Sequence, residues 1–269
     1  MSRATPHASI AAIGERISPL INAHLDRVFR RILPGADTTV DRHFIRIQTG
    51  EPHPFANFAC VNDATNAACA RQAIEPLARQ NKPAAMIFVG SPSDAVVGQI
   101  REAGFQRHGE MVMMAVDIEP LSPTTLPAGY TFARVSAMAD RDRWADAFTR
   151  GYELPPQAGA SFARALDGNA ADDADVRYFW IRHGDEPVCT SVLYLQDGVA
   201  GVYGVATIPD ARKKGLGAHA TAEPLRIARK LGYRVGVLQA SKLGHPVYRR
   251  IGFSDFGEIP LFVRLPAPA

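Results

Sequence analysis

Cysteine is scarce in this sequence. Cys60, Cys69 and Cys189 are odd in number and follow no metal-ligand spacing. That excludes a disulfide framework and a zinc module, and reads as free thiols in a reducing cytosol. Long apolar runs are missing too, since none approaches the roughly 18 residues a membrane span needs. The N-terminus, Met1-Ser-Arg-Ala-Thr-Pro-His, leads into a stretch broken by Glu15 and Arg16 and lacks the apolar core of a signal peptide. Charge of one sign is absent as well: 30 Lys+Arg against 27 Asp+Glu leave +3 over 269 residues, too little for a nucleic-acid footprint. The expectation is a cytoplasmic protein with no metal, no nucleic acid and no membrane among its partners.

What is present is an ordinary globular composition. With 46% apolar and 21% charged residues the chain is not disordered, and it is long enough to bury a core unaided, as one large domain or two smaller ones. Three prolines and a closing glycine in Glu119-Pro-Leu-Ser-Pro-Thr-Thr-Leu-Pro-Ala-Gly129 read as an extended connector. Across it the sequence repeats. Gly104-Phe105 followed by Gly109-Glu110 returns as Gly252-Phe253 followed by Gly257-Glu258, an offset of 252 − 104 = 148. The same offset carries Glu75-Pro76-Leu77 onto Glu223-Pro224-Leu225, and Gln48 and Gly50 onto Gln196 and Gly198. Three segments in one ungapped register point to duplication; the alternative is coincidence between short common strings. The expected organisation is residues 1–118, a linker at 119–129, and residues 130–269.

The second half alternates β and α. Tyr130–Val135, Val176–Arg182, Pro187–Leu195, Val199–Ile208, Arg234–Gln239 and Ile259–Leu265 read as strands, with a hairpin at Gly184-Asp185-Glu186. Met138–Tyr152, Gln157–Leu166, Leu216–Leu231 and His245–Ile251 read as helices, with Leu216, Ala220, Ile227 and Leu231 spaced to share a face. The fold class is therefore α/β of the α+β type, a mixed sheet with flanking helices. In the first half, residues 8–32 carry the apolar spacing of a helix, which leaves no room for the first one or two strands and makes that copy truncated.

The chemistry lies in Val205-Ala-Thr-Ile-Pro-Asp-Ala-Arg-Lys-Lys-Gly-Leu-Gly-Ala-His-Ala220. A strand ends at Pro209, a basic loop follows, and Gly215 and Gly217 open a helix. Glycine lets the backbone approach a ligand closely, and the free N–H groups of a helix start favour an anion. Arg212, Lys213 and Lys214 add three cations, so the segment reads as a phosphate or pyrophosphate cradle; the plainer alternative is a surface turn with solvated lysines. It is not a Walker loop, because no lysine followed by serine or threonine comes after Gly217. A dinucleotide site, and with it a nicotinamide oxidoreductase, is disfavoured because Val235–Ser241 contains no ribose-binding carboxylate.

The run Arg212-Lys-Lys-Gly215-Leu-Gly217 resembles the Arg/Gln-x-x-Gly-x-Gly/Ala motif of the GNAT superfamily of acyl-CoA-dependent N-acetyltransferases. The later run Leu238-Gln-Ala-Ser241-Lys-Leu-Gly-His-Pro-Val-Tyr248-Arg-Arg-Ile-Gly252-Phe253 is similar to the second motif of that family, with a tyrosine followed by Gly-Phe. The order and separation of the two also match. The resemblance spans residues 130–265 and, through the offset, extends weakly to about 38–118. It implies two mixed GNAT-like sheets, the N-terminal one truncated, and acetyl-CoA as co-substrate. It further implies that the backbone of Val205, Ala206 and Thr207 faces the pantetheine and acetyl group, and that Arg212, Lys213, Lys214, Gly215, Leu216, Gly217 and Ala218 hold the pyrophosphate. Ser241 stands where many members have asparagine, as a further cofactor contact.

Tyr248 matches the tyrosine that often protonates the departing thiolate, a role suited to a phenol; the plainer reading is a core aromatic. The implied reaction is direct attack of a neutral amine, from a small molecule or a peptide, on the thioester; Asp197, Glu153, His183 or a water chain could take the amine's proton, and no base is assigned. Glu153 could pair with a cationic amine, and Trp180 or Phe179 could line the acceptor pocket. Subtracting 148 from Arg212, Gly215, Gly217 and Tyr248 gives Ala64, Ala67, Cys69 and Ile100, so the first half lacks the cradle and the phenol. A non-catalytic acyl-CoA-binding or regulatory module is the other function class open at this point, and both monomer and homodimer remain open.

Overall fold

A computed structural model describes residues 9–32, 37–136, 138–156 and 174–266. The chain opens with helices α1 (Ile10–Ile13) and α2 (Ile17–Ile32) where the spacing predicts helix. There follow β1 (Thr38–Val40), β2 (Phe44–Gln48), β3 (Asn57–Val61), α3 (Ala67–Arg79), β4 (Ala84–Phe88), α4 (Asp94–Glu102) and β5 (Gln106–Asp117). Residues 120–127 carry neither helix nor strand. Then come β6 (Tyr130–Arg134), α5 (Arg141–Gly151), β7 (Val176–His183), β8 (Glu186–Gln196), β9 (Val199–Thr207), α6 (Leu216–Lys230), β10 (Val235–Ala240), α7 (His245–Ile251) and β11 (Ser254–Arg264). The helix expected at Gln157–Leu166 lies outside the described residues. The last strand starts earlier than its apolar run, at Ser254. Leu231 leaves the apolar face expected of it and is 44% exposed just beyond α6.

Two compact units form, and neither is continuous in sequence. One comprises residues 22–111 and 258–269; the other comprises residues 1–21 and 112–257. In the first, β1, β2 and β3 are antiparallel neighbours, β3 and β4 are parallel, and Leu261–Arg264 of β11 pair antiparallel with Ala84–Ile87. The parallel step needs a crossover, which α3 supplies. Asn66 caps α3 by accepting the Cys69 N–H at 3.1 Å. Its apolar face, Ala70, Ala73, Ile74 and Leu77, packs on Phe44, Ala59, Val61, Met86 and Phe88.

In the second unit, β6, β7, β8 and β9 are antiparallel neighbours in that order, β9 and β10 are parallel, and Val112–Asp117 of β5 pair antiparallel with β10. The crossover between β9 and β10 is α6. β8 is central and buried over nearly its whole length, which explains why Pro187–Leu195 reads as an almost unbroken apolar run. Leu225 and Ala228 of α6 pack with Met114, Val116, Leu193, Ala200 and Leu238.

The strands of the two units share a pattern: an antiparallel pair, a helical crossover to a parallel strand, then one more antiparallel strand. That last strand is exchanged. β5 starts in the first unit and ends in the second beside β10, whereas β11 starts in the second and ends in the first beside β4. At the 148-residue offset Gln106 falls on Ser254, so the offset carries the start of β5 onto the start of β11.

Candidate functional site

The parallel pair β9–β10 holds together only at its start. Val235–Val237 pair with Val199–Gly201, and beyond Gly201 the ladder stops, although β9 continues to Thr207 and β10 to Ala240. The two strands therefore diverge, and Val202–Thr207 keeps β8 on one edge with the other edge unpaired by β10. A bulge between Thr190 and Val192, with Gly204 at φ 59, shifts the register here. Backbone groups on an unpaired strand edge can take up an extended, amide-containing ligand as an added strand would.

Val205 and Thr207 face α6, since a Cβ on Gly217 would lie 3.9 Å from each of their side chains. Ala206 faces the other way, against the end of α5. The Thr207 hydroxyl donates to the Cys189 thiol at 3.2 Å. Burial pushes that thiol up to about 12, and the Thr207 hydrogen bond only partly offsets it.

The cradle has the expected backbone. Gly215 adopts φ 78 as N-cap of α6, and a Cβ there would meet nothing within 4 Å, so the space in front of the helix is open. No side chain caps this end, which leaves its first N–H groups unspent on side chains. The three cations behave differently from one another. Arg212 turns away from the helix start, donating from Nε to Thr207 O at 3.1 Å and from Nη2 to Gly151 O at 3.0 Å and Glu153 Oε1 at 2.7 Å. Lys214 donates to the Tyr130 hydroxyl at 3.1 Å and to Asp210 O at 3.4 Å. Lys213, left-handed at φ 63, has no protein partner among the described residues. Leu216 is buried under the helix, with Ala218 partly buried beside it. This arrangement of open space, unspent amides and one unpaired lysine fits a diphosphate.

Tyr248 projects from α7 into the core of the second unit and is 8% exposed. Burial raises its phenol well above the ordinary tyrosine range, with Tyr152 and Cys189 pushing the same way and a hydrogen bond with Thr221 opposing them. The phenol consequently stays protonated, as a donor must. Ser241 fixes the turn into α7 by accepting the Gly244 N–H at 3.2 Å.

The expected acceptor residues are placed less simply. Glu153 carries its carboxylate to Arg212. Trp180 is 3% exposed, with the guanidinium groups of Arg143 and Arg182 each 5.5 Å from its ring, while Phe179 is stacked on Phe132 at 5.1 Å. Asp197 forms the turn before β9, at the opposite end of that strand from Thr207, and His183 stacks on Tyr130 at 4.6 Å. Sequence reasoning missed Gly151, Cys189 and Thr221. None carries a motif, and only the fold brings them to the end of β9.

Among the described residues no helix is long and apolar enough to cross a membrane, and no group of three His, Cys, Asp or Glu side chains could hold a metal. The mixed sheet with flanking helices is a fold shared with solved structures of GCN5-related N-acetyltransferases. The model of the acetyltransferase (GNAT) family matches residues 141–253, and this part of the chain is a GNAT domain. A GCN5-related N-acetyltransferase from Kribbella flavida aligns over 92% of this chain and 96% of its own, at 19% identity and TM-score 0.59. Another from Sphaerobacter thermophilus aligns over 95% of each chain, at 12% identity and TM-score 0.59. A tandem GNAT protein from the clavulanic acid biosynthesis pathway aligns over 98% of each, at 12% identity and TM-score 0.56. These likenesses establish the fold. Among curated proteins no sequence relative matches the chain.

Proposed function

We propose that this protein transfers an acetyl group from acetyl-CoA to the amine of a small molecule or peptide, at one site in its second half. The observation that carries this reading is the divergence of β9 from β10 directly before the Gly215 helix start. An extended thioester ligand lying along Val205–Thr207 would bring its diphosphate to that helix. Bound acetyl-CoA supplies an activated acyl group. The residues of the chain orient it and manage the proton. The N–H groups of Leu216, Gly217 and Ala218, with the Lys213 ammonium, hold phosphate oxygens. The free edge of β9 aligns the thioester and polarises its carbonyl. Tyr248, kept protonated by its buried position, donates to the departing sulfur.

The first half lacks glycines, basic loop and phenol at the corresponding positions, Ala64, Ala67, Cys69 and Ile100. We read it as a truncated copy that binds no acyl-CoA and contributes structure. Release of CoA from acetyl-CoA across a panel of amines tests the proposal. Gly215→Glu, which puts a carboxylate where a phosphate should sit, abolishes release, and Tyr248→Phe slows it strongly. Tight acetyl-CoA binding without turnover by any amine would instead favour a non-catalytic acyl-CoA-binding module. Full turnover by Gly215→Glu would show the site to be misplaced.

A further inference from the structure

Glu153 occupies a backbone position that ordinarily belongs to glycine. Helix α5 closes with the Glu153 N–H donating to Arg150 O at 3.2 Å and the Leu154 N–H donating to Thr149 O at 2.9 Å. This closure requires a left-handed residue at the first of these two donors, and Glu153 takes that conformation at φ 55. A glycine would be unstrained there but would offer no carboxylate. The carboxylate is used: it accepts from Arg212 at 2.7 Å. Next to Arg212, Lys213 is also left-handed without being glycine. One residue of this ion pair and the neighbour of the other are thus left-handed without being glycine, and strain of this kind persists only where the surroundings enforce it.

The Arg212 guanidinium joins three segments, namely the end of β9 through Thr207 O, the end of α5 through Gly151 O, and the following loop through Glu153. Gly151 lies so close to Ala206 that a Cβ on it would stand 2.8 Å from the Ala206 Cβ, so the end of α5 packs directly on β9. The Arg212 pair ties Glu153, two residues further on, to the same end of β9. Arg212 is rooted in the segment that leads into the phosphate cradle at Gly215.

We infer that Arg212 is a positioning residue for the acceptor side: through Glu153 it couples filling of the phosphate cradle to the placement of the Tyr152 loop. The coupling rests on the acyl-CoA reading above, whereas the positioning does not. A planar, multiply donating guanidinium suits this three-way junction in a way that a lysine would not.

Hydrogen exchange of the Tyr152, Glu153 and Leu154 amides in the intact chain tests both parts. Without ligand, Arg212→Gln speeds their exchange about tenfold. Unchanged exchange overturns the positioning role whether or not acetyl-CoA binds. With saturating acetyl-CoA, exchange of these amides in the wild-type chain slows about tenfold, the reciprocal sign of coupling. Glu153→Gly relieves the backbone strain and removes the carboxylate; it keeps acetyl-CoA affinity within about threefold while the ligand-induced slowing disappears. A residue serving only to close the helix would leave that slowing intact, and this result would overturn the coupling. So would a large loss of acetyl-CoA affinity in Arg212→Gln with the slowing unaltered in Glu153→Gly, because Arg212 would then be a phosphate ligand.

Discussion

Gly151 at the end of α5 meets Ala206 of β9 backbone to backbone. A Cβ on Gly151 would stand 2.8 Å from the Ala206 Cβ, 3.0 Å from its carbonyl carbon and 3.2 Å from the Thr207 nitrogen. Those atoms belong to a central strand and cannot step aside as a side-chain tip can. Gly151→Ala gains up to about 1 kcal/mol of helix propensity, but overpacking of this kind costs roughly 1–3 kcal/mol. We expect a net loss of stability and a lowered melting temperature by calorimetry, with acyl transfer reduced more than melting alone explains. A variant that melts like the wild type would contradict the close approach.

The Thr124 hydroxyl and His219 Nδ1 share a hydrogen bond of 3.2 Å that ties the connector to α6, with Arg226 donating to Thr124 at 3.2 Å and to Ser122 O at 2.9 Å. Burial lowers the His219 pKa; nearby Glu223 opposes that shift and Arg226 adds to it. Because the folded pKa lies below the unfolded value of about 6.5, the unfolded chain binds the proton more readily. Stability is therefore full above about pH 6.5 and falls as pH drops through the folded pKa. Denaturant unfolding between about pH 7 and pH 5 should show this decline, and His219→Gln should flatten it. An equally steep decline in the variant would remove His219 from the account.

Cys60 and Cys189 are both fully buried, and burial raises both thiols, Cys189 to about 12. Cys69 at the start of α3 is partly exposed, although desolvation, Asp41 and Asp63 raise its thiol as well. Reactivity follows the thiolate and its access, so access decides here: a thiol reagent should label Cys69 in the native chain and the other two only after denaturation. Rapid native labelling of Cys189 would mean that the end of β9 is open beneath Thr207.

Tyr248 is held well above the ordinary phenol range by burial, so its proton stays on through neutral and mildly alkaline pH. Tyr248→Phe should lower kcat by about a hundredfold, within the usual range for one acid–base group, and leave acetyl-CoA affinity unchanged. The wild-type profile of kcat against pH should show no loss attributable to Tyr248 below about pH 10. A variant with unaltered kcat would leave this side chain with a packing role alone.

Much of the fold could be read from local pattern. The apolar run Pro187–Leu195 and the glycine that ends His245–Ile251 are properties of single segments, and the described elements of the second half lie close to their expected places, save β11, which starts at Ser254. The 148-residue offset carries the start of β5 onto the start of β11. What the offset could not express is which neighbour each of those strands takes, β10 for β5 and β4 for β11, because pairing depends on chain connection and leaves both sequences unaltered. The same limit applies at the site. Gly215 follows from its backbone need alone, whereas no motif shows that Arg212 bridges Thr207, Gly151 and Glu153. A motif fixes where an arginine starts, and the direction of its long side chain is decided by carbonyls and carboxylates brought near only by folding.

Titration calorimetry of the intact chain with acetyl-CoA tests the central claim most directly. The account predicts one micromolar site per chain, lost in Gly215→Glu while the variant keeps its melting temperature. Two sites, no binding by the wild type, or binding that survives Gly215→Glu would each contradict it.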